Sequence, residues 1–332
     1  RDLAERHGDV LRRLRPAVVA TPTLVPHLLP AHRTADLVIL DAVQHVPTEV
    51  VVPALARGRQ VVVVGDPRSA SGSSVHELAA LLPTVTLQPH DNRRDPEMTR
   101  LLAAHGYEGL LRPAPLPRAE ALVHLDVVDG TGMPDPASGS VESTQAEVDR
   151  VVEASIEHAL TRPEETFAIV TVTAAHADRV REALLAEVRA NPALAPFFSG
   201  SRPEPVVVAD ITGVAGLSRD TILLSVGFGR TPHGRVLHRF GVLGEAGGGA
   251  MLLGALGATR KRLQVVSCFR ADALDPERLR GAGPRLLADV LALAERRSDV
   301  ADQVLLGTGV DVGRAPDRLL VDLGERLWRL GY

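Results

Sequence analysis

Cysteine is almost absent from this 332-residue sequence, in which Cys268 stands alone. A single cysteine excludes a disulfide framework and any zinc site built from several cysteines, and it favours a reducing, cytoplasmic compartment. Aromatic residues make up only 3% of the chain, so stacking platforms for unpaired bases are scarce. No apolar run approaches the roughly 20 residues that a bilayer span requires, so the sequence excludes a membrane protein.

Lysine is equally scarce, since Lys261 is the single lysine among 37 basic residues. A P-loop reads Gly-x-x-x-x-Gly-Lys-Ser/Thr because its lysine reaches the terminal phosphates of the nucleotide. The residues at 258–262, Ala-Thr-Arg-Lys-Arg, do not match that pattern, so the sequence contains no P-loop. The net charge of −4 means that nucleic-acid binding would need a local basic patch.

Short apolar runs alternate with helical patterns along the chain. Runs with little polar alternation are typical of parallel strands buried on both faces. Strands are predicted at 17–20, 37–40, 61–64, 85–87, 121–128, 167–172, 206–211, 221–226 and 263–268. Helices are predicted at 2–14, 47–55, 74–82, 145–160, 174–189, 279–296 and 318–330. This alternation predicts an α/β fold with mainly parallel sheets.

Two segments are typical of connectors. Residues 112–117 are rich in proline, and residues 129–143 are rich in Gly, Ser, Pro and Asp. We therefore place a first domain at 1–117, a linker at 118–143, a second domain at 144–298, and a further linker with the start of another domain at 299–332.

Acidic residues follow two of the predicted strands. Asp41 follows the run at 37–40, and Gly65-Asp66 follows the run at 61–64. Ligands of open α/β sheets bind outside the carboxyl ends of the strands, and an aspartate there can hold Mg²⁺. Each aspartate could instead cap the following helix. The repeated spacing favours a ligand site, with Asp41 as a weak Mg²⁺ ligand.

Several segments resemble, in the right order, the motifs of superfamily-1 helicases. The likeness is to the large bacterial members that carry a Vsr-like nuclease domain at the C-terminus. Residues 20–22 resemble the Ser/Thr-Pro that touches the nucleic-acid backbone. Residues 37–44 resemble motif II, 65–69 resemble motif III, and 92–97 resemble the motif whose arginine reaches the nucleotide phosphates.

The resemblance continues in the second half of the chain. Residues 208–239 resemble motif V and its glycine-rich loop, 251–269 resemble motif VI, and 317–332 resemble the opening helix of the nuclease-like domain. The family implies two RecA-like layers of the P-loop NTPase fold, the first of them truncated, with the P-loop upstream of residue 1. It implies nucleotide contacts at Asp41, Gly65, Asp66, Arg93, Gly216 and Arg219, and nucleic-acid contacts at Thr21, Arg230, Arg235 and Arg239.

The residues that carry the chemistry depart from the family pattern. Ala42 replaces the motif II glutamate that acts as general base, and Ala258 aligns with the arginine finger. Ser69 replaces the motif III glutamine, and Ala215 and Ser218 replace the glutamine and glutamate of motif V. With the base, the finger and the P-loop all missing, we expect this chain to hydrolyse no ATP.

The favoured function is a catalytically degenerate helicase-like module that binds DNA or RNA, a protein partner or a second copy of itself, with binding of ATP and Mg²⁺ weak or absent. Two alternatives stay open. One is a fragment of an active ATP-dependent DNA helicase whose P-loop lies upstream of residue 1. The other is a nucleotide sensor that binds ATP without hydrolysing it.

Overall fold

The chain forms two compact units, Arg1–Leu87 and Gln88–Tyr332. A computed structural model describes residues 6–14, 16–69, 74–87, 94–113, 122–305 and 326. Within these residues each unit contains its own parallel β-sheet, of two strands in the first unit and five in the second. None of the helices in the described part has both the length and the apolar character that a membrane span requires.

The first unit is a small α/β layer. Its elements are α1 (Gly8–Leu14), α2 (Val25–Leu28), β1 (Ala35–Leu40), a helical turn (Val43–His45), α3 (Thr48–Leu55), β2 (Gly58–Val63) and α4 (Ser74–Leu81). β1 and β2 pair in parallel, with Leu40 opposite Val63, and α3 provides the crossover between them. Leu40 packs with Val51 of α3 and Leu78 of α4 on one face of the sheet.

The other face of this first sheet is exposed. Ile39 is 60% exposed and Leu37 is 46% exposed, and Val62 and Val64 are exposed on the same face. The prediction that these strands are buried on both faces is therefore wrong, because the described helices that pack on this sheet cover one side.

Two apolar runs of the first unit form no strand. The predicted strands at 17–20 and 85–87 have no regular structure. Val19 is wholly exposed, and Val85 and Leu87 are largely exposed. An apolar run becomes a strand only where a neighbouring strand takes up its backbone hydrogen bonds, and neither run has such a partner in the described part of the chain.

The second unit is a larger α/β layer. Its elements are α5 (Pro96–Leu102), β3 (Val123–Val127), α6 (Gln145–Thr161), β4 (Phe167–Thr171), α7 (Ala174–Ala190), α8 (Ala195–Phe198), β5 (Val207–Asp210), β6 (Arg219–Ser225), α9 (Gly248–Gly257), β7 (Thr259–Ser267) and α10 (Ala282–Leu305). Short helical turns lie at Ala103–Tyr107, Pro192–Leu194, Gly241–Gly244, Ala271–Ala273 and Pro276–Arg278. The strand order is β3-β7-β6-β4-β5, and every neighbouring pair is parallel. The predicted α/β class with parallel sheets is confirmed.

Helices cover both faces of this five-stranded sheet. Along β4, Phe167 and Ile169 pack in the core with α6 and α7. Ala168 and Val170 point to the opposite face and pack in the core with α9 and α10. Because successive strand residues alternate between faces, burial of both faces accounts for the uninterrupted apolar run.

β3 lies at an edge of this sheet and pairs with β7. Its Leu125 backbone N–H donates to the hydroxyl of Ser298 on α10 at 2.8 Å. A side chain from a helix thus occupies a hydrogen-bonding position that an edge strand would otherwise leave open.

The division between the units differs from the predicted boundary at residue 117. Met98 and Leu102 of α5 are wholly buried in the core of the second unit. Asp95 caps α5 by accepting from the Glu97 N–H at 2.8 Å, and it lies 2.7 Å from an Arg297 nitrogen of α10. These contacts place the residues around α5 in the second unit.

The end of the second unit also differs from the prediction. α10 continues to Leu305, where a linker was predicted from residue 299. The helix predicted at 318–330 lies outside the described residues, apart from residue 326.

Candidate functional site

The strand-end acids of the first unit lie side by side. The Val64 N–H donates to the Leu40 carbonyl at 2.8 Å, so the segments that begin at Asp41 and Gly65 leave the sheet at the same edge. Asp41 is exposed. Asp66 instead stabilises its own turn, because its carboxylate accepts from the Arg68 N–H at 3.0 Å.

Position 42 has an unusual backbone conformation. Ala42 adopts φ 54° and ψ 41°, in the left-handed region that alanine disfavours by roughly 1 kcal/mol or more.

Within the described residues, no group of three His, Cys, Asp or Glu side chains is placed to hold a metal ion. The proposed role of Asp41 as a weak Mg²⁺ ligand therefore stays a prediction.

Two further predicted site residues belong to this part of the chain, and their roles stay predictions. Thr21 is exposed, and its hydroxyl lies 3.2 Å from that of Thr23. Arg93 lies outside the described residues.

The predicted nucleotide contacts of the second unit lie at the amino end of β6. Gly216 makes a turn with φ +72°, which glycine adopts readily. The Arg219 guanidinium donates to the Pro205 carbonyl at 3.0 Å and to the Ser218 carbonyl at 2.8 Å. Arg219 therefore helps to hold its own loop together.

Glu204 links this loop to the start of β7. The Arg260 guanidinium donates to both carboxylate oxygens of Glu204 and to the Ser218 hydroxyl at 3.0 Å. Arg219 lies 3.9 Å from the same carboxylate. Ala258, which aligns with the arginine finger, is buried. Both arginines of this region are thus engaged in contacts within the second unit.

Three loops meet at the other end of the sheet, which we call the carboxyl edge. They follow β3, β6 and β7, and these three strands are neighbours in the order β3-β7-β6. The Arg230 N–H donates to the Gly130 carbonyl at 2.9 Å. The Ser140 hydroxyl donates to the Arg239 carbonyl at 2.6 Å. Such edges are where open α/β sheets bind their ligands.

A pocket of about 430 Å³ opens between these loops. We call it the arginine pocket, and it is lined by Gly139, Leu237, His238, Arg239, Glu277, Arg278 and Arg280. Its three arginines are exposed, and none of them forms an ion pair with an acidic residue in the described part of the chain. Glu277 is the single carboxylate of its lining. Free guanidinium groups are strong donors to phosphate.

His238 joins two walls of the arginine pocket. Its Nε2 accepts from the Asp275 N–H at 2.9 Å, so Nε2 is unprotonated and the imidazole is neutral. Burial, followed by the nearby Arg278 charge, lowers the pKa of His238. Asp275 also accepts from the Glu277 N–H at 3.0 Å, and the turn that carries Arg278 is thereby fixed to the loop that carries Arg239.

A buried polar network lies at the same carboxyl edge. It comprises Ser143, Glu147, His176, Ser225 and Cys268. His176 contacts the Ser143 hydroxyl through Nδ1 and the Ser225 hydroxyl through Nε2, both at 2.7 Å. The Glu147 carboxylate accepts from the Ser225 hydroxyl at 2.8 Å, from the Gly227 N–H at 2.7 Å and from the Cys268 thiol at 3.3 Å.

The directions of these hydrogen bonds are consistent with one proton arrangement. Ser225 donates to Glu147, so His176 donates to Ser225 through Nε2 and accepts from Ser143 at Nδ1. His176 is then neutral, and burial lowers its pKa to about 4. Burial raises the pKa of Glu147 to about 7, although its hydrogen-bond donors act in the opposite direction. Burial also raises the pKa of Cys268, which keeps the thiol protonated as a donor.

The structure thus separates the predicted site residues into distinct places. Arg230, Arg235 and Arg239 lie at the carboxyl edge, but Arg230 is paired with Asp129 at 2.6 Å. Arg235 is exposed on the same loop as Arg239. The nucleotide contacts Gly216 and Arg219 lie at the amino end of β6.

Sequence reasoning missed several residues of the carboxyl edge. Arg278 and Arg280 lie in the long segment between β7 and α10, and no local pattern marks them. Glu147 occupies the fourth position of Thr-x-x-Glu, which is the pattern of a capping box. The Thr144 side chain does not cap α6. It contacts the Cys268 sulfur instead, at 3.2 Å, and Glu147 points into the polar network.

Comparisons with known proteins give distant likenesses. No protein-family model matches the chain, and no curated protein matches it. Among solved structures, the C-terminal domain of a possible DNA helicase from Lactobacillus plantarum WCFS1 shares 16% identity at a TM-score of 0.28, covering 48% of this chain and 80% of that one. The Escherichia coli DEAH/RHA helicase HrpB shares 13% identity at a TM-score of 0.25, covering 78% of this chain. The matched region spans 45% of the length of HrpB. Likenesses of this size carry no information about the site.

Proposed function

We propose that this chain is a helicase-like module that binds the phosphate backbone of nucleic acid and does not hydrolyse ATP. The observation that carries the proposal is the set of unpaired arginines at the carboxyl edge. Arg235, Arg239, Arg278 and Arg280 are all exposed there, and none is paired with an acidic residue among those described. They supply the local basic patch that a chain of net charge −4 needs.

The expected mode of binding follows from this composition. With aromatic residues at 3% of the chain, base stacking contributes little, and the phosphate contacts dominate. Three to four such contacts give a slope of about −3 in the logarithm of affinity against the logarithm of salt concentration. Affinity then depends little on base sequence.

The binding experiment is fluorescence anisotropy with labelled single and double strands over a range of salt concentrations. We expect Arg278→Ala with Arg280→Ala to weaken binding by at least tenfold at low salt and to reduce the salt slope by about two. The matched control is Arg189→Ala. Arg189 is exposed near the end of α7, at the amino end of the sheet, and we expect no change. Equal affinity of all three proteins would contradict the proposal.

The absence of ATP hydrolysis is the second part of the proposal. It is supported by Ala42 and Ala258 at the positions of the base and the finger, and by the Glu204 contacts of Arg219 and Arg260. We expect no release of phosphate above background, with or without DNA, and no recovery in Ala42→Glu. The contamination control is Asp41→Ala. DNA-stimulated turnover that this control abolishes would instead support an active helicase fragment.

A protein partner or self-association is a further part of the proposed function. Its support is the exposed apolar face of the first sheet, formed by Leu37, Ile39, Val62 and Val64. Exposed apolar patches of this kind mark interaction surfaces.

A further inference from the structure

The arginine pocket has the dimensions of a site for one small group. Its volume of about 430 Å³ lies at the lower end of the range of roughly 300–1,000 Å³ that is typical of small-molecule sites. A groove that follows a nucleic-acid strand has no such limit. The pocket therefore accommodates about one nucleotide.

The side chains that line the arginine pocket carry an excess of positive charge. Three guanidinium groups and one carboxylate line it, and His238 is neutral because its Nε2 accepts a hydrogen bond from Asp275. The lining therefore carries two net positive charges. An internal phosphodiester carries one negative charge, whereas a phosphate monoester carries about 1.5 to 2 at pH 7. The monoester is the better match to this lining.

The position of Arg239 depends on Gly139. Gly139 has φ +66°, and a Cβ atom built there would lie 2.7 Å from Nη1 of Arg239. The Ser140 hydroxyl fixes the backbone of Arg239 through its carbonyl. The guanidinium therefore lies directly against the backbone of Gly139, and a side chain at position 139 would shift the end of the Arg239 side chain.

The opposite wall is fixed as well. Asp275 caps the turn Pro276–Arg278 and donates its N–H to His238. Arg239 on one wall and Arg278 on the other are thus held by backbone contacts rather than by acidic partners, and their charges remain available to a ligand.

From this geometry we infer that the arginine pocket binds the terminal phosphate monoester of a nucleic-acid strand. The inference rests on the proposed nucleic-acid binding and deepens it. Arg239, Arg278 and Arg280 donate to the phosphate oxygens, and Glu277 accepts from a hydroxyl or amino group of the terminal nucleotide. Internal phosphates of the same strand contact the surrounding edge, including Arg235.

The test measures how well unlabelled competitor strands displace a labelled strand from the protein. One ten-nucleotide competitor has hydroxyl groups at both ends, one carries a 5′-phosphate, and one carries a 3′-phosphate. We expect at least one phosphorylated strand to compete tenfold or more better than the hydroxyl strand. Arg278→Ala with Arg280→Ala removes that preference, and Arg189→Ala keeps it.

Gly139→Ala is a sharper variant, because it changes no charge. We expect it to reduce the end-phosphate preference at least threefold while circular dichroism shows an unchanged fold. If Gly139→Ala fails to fold, the double arginine variant carries the test. A preference that survives in the double variant would overturn the inference.

The remaining outcomes separate the inference from the proposed function. Equal competition by all three strands would overturn the end-phosphate site and leave backbone binding intact. No binding by any strand would overturn both. A nucleoside monophosphate that competes as well as the phosphorylated strand would show that the pocket serves free nucleotides, and this outcome also overturns the inference of a strand end.

Discussion

The five-stranded sheet of the second unit is covered on both faces, whereas the two-stranded sheet of the first unit is covered on one. Ile169 at the centre of β4 is wholly buried, and Ile39 near the end of β1 is 60% exposed. Both residues stand in uninterrupted apolar runs. An apolar run therefore shows that a strand can be buried on both faces. Whether both faces are buried depends on the helices that pack against the sheet.

The strand ends differ in the same way. Asp41 follows β1 and is exposed, whereas Glu147 of α6, whose carboxylate lies at the carboxyl edge of the second sheet, is wholly buried among hydrogen-bond donors. An acid that is exposed can be exchanged at little cost, but a buried acid is part of the interior of the unit.

The largest effect is expected from a matched pair of substitutions in the two sheets. Ile169→Ala removes buried atoms from a packed core and should lower the free energy of unfolding of the second unit by about 4 kcal/mol. Ile39→Ala should change the stability of the first unit by less than about 1 kcal/mol. Hydrogen exchange followed by mass spectrometry assigns each effect to its unit. Equal losses of stability in the two units would contradict the difference in burial between Ile169 and Ile39.

Glu147→Ala is the next strongest test. It leaves the Ser225 hydroxyl, the Gly227 N–H and the Cys268 thiol without their acceptor, so we expect a loss of about 3 kcal/mol. Glu147→Gln keeps the oxygen that accepts from Ser225 and Gly227, and it should cost less than about 1 kcal/mol. Asp41→Ala is the exposed counterpart in the first unit and should be neutral within about 0.5 kcal/mol. Urea denaturation measures all three.

The pH dependence of stability isolates the charge of Glu147. Its pKa is raised from 4.5 to about 7, so the folded chain binds more protons than the unfolded chain between those values, and stability falls as the pH rises through this window. Relative to Glu147→Gln, the wild-type chain should lose roughly 3 kcal/mol between pH 4.5 and pH 8.

The stability of the wild-type chain is compared with that of Glu147→Gln because two buried histidines change stability with pH in the opposite direction. Burial lowers the pKa of His158 and of His176 to about 4. Each therefore reduces stability as the pH falls from 6.5 towards 4. Both proteins share these histidines, and subtraction removes the contribution of His158. His176 contacts Ser225 of the Glu147 network, so the difference is read above the pH at which folded His176 titrates. A flat difference curve would show that Glu147 stays ionised throughout.

The smallest effect on stability is expected from Ile39→Lys, which tests the exposed face of the first sheet. A lysine there should leave the free energy of unfolding within about 0.5 kcal/mol of the wild-type value. It should also weaken self-association, as seen by sedimentation velocity at high protein concentration. A wild-type chain that stays monomeric under those conditions would contradict the assignment of this face as an interaction surface.

The sequence predicted the second unit better than the first. The strand predicted at 167–172 is observed at Phe167–Thr171, and the helix predicted at 145–160 is observed at Gln145–Thr161. The strand combines an uninterrupted apolar run with helices on both faces of the sheet, and the helix has a helical period of buried apolar residues. The run at 17–20 is equally apolar but forms no strand, because pairing depends on residues elsewhere in the chain.

Helix α9 shows how packing can override local preference. Gly248–Gly257 contains four glycines, which disfavour a helix, and no helix was predicted there. A Cβ atom at Gly248 would lie 2.3 Å from the Leu243 carbonyl oxygen, and one at Gly249 would lie 2.9 Å from the Ala282 side chain. The glycines therefore permit a close approach, which a propensity scale does not include.

The site was predictable in part. The family resemblance placed Arg230, Arg235 and Arg239 on one loop, and the structure locates that loop at the carboxyl edge. The same resemblance assigned Arg219 to a nucleotide, but the contact with Glu204 depends on how two loops fold together. The arginine pocket requires loops that follow β3, β6 and β7 to meet, and no local pattern records this meeting.

The hydrogen bond between Leu125 and Ser298 has a consequence for synthesis of the chain. It joins residues 173 positions apart, and the pairing partner of β3 is the late strand β7. At a translation rate of roughly 5–20 residues per second, about 10 to 35 s pass between the emergence of these two residues. Val123 and Leu125 share a core with Met98 and Leu102, which are made before them, but their strand partner β7 is made much later. Until β7 is made, β3 lacks the backbone partner that it has in the folded sheet, and an unpaired strand of this kind can pair with another chain.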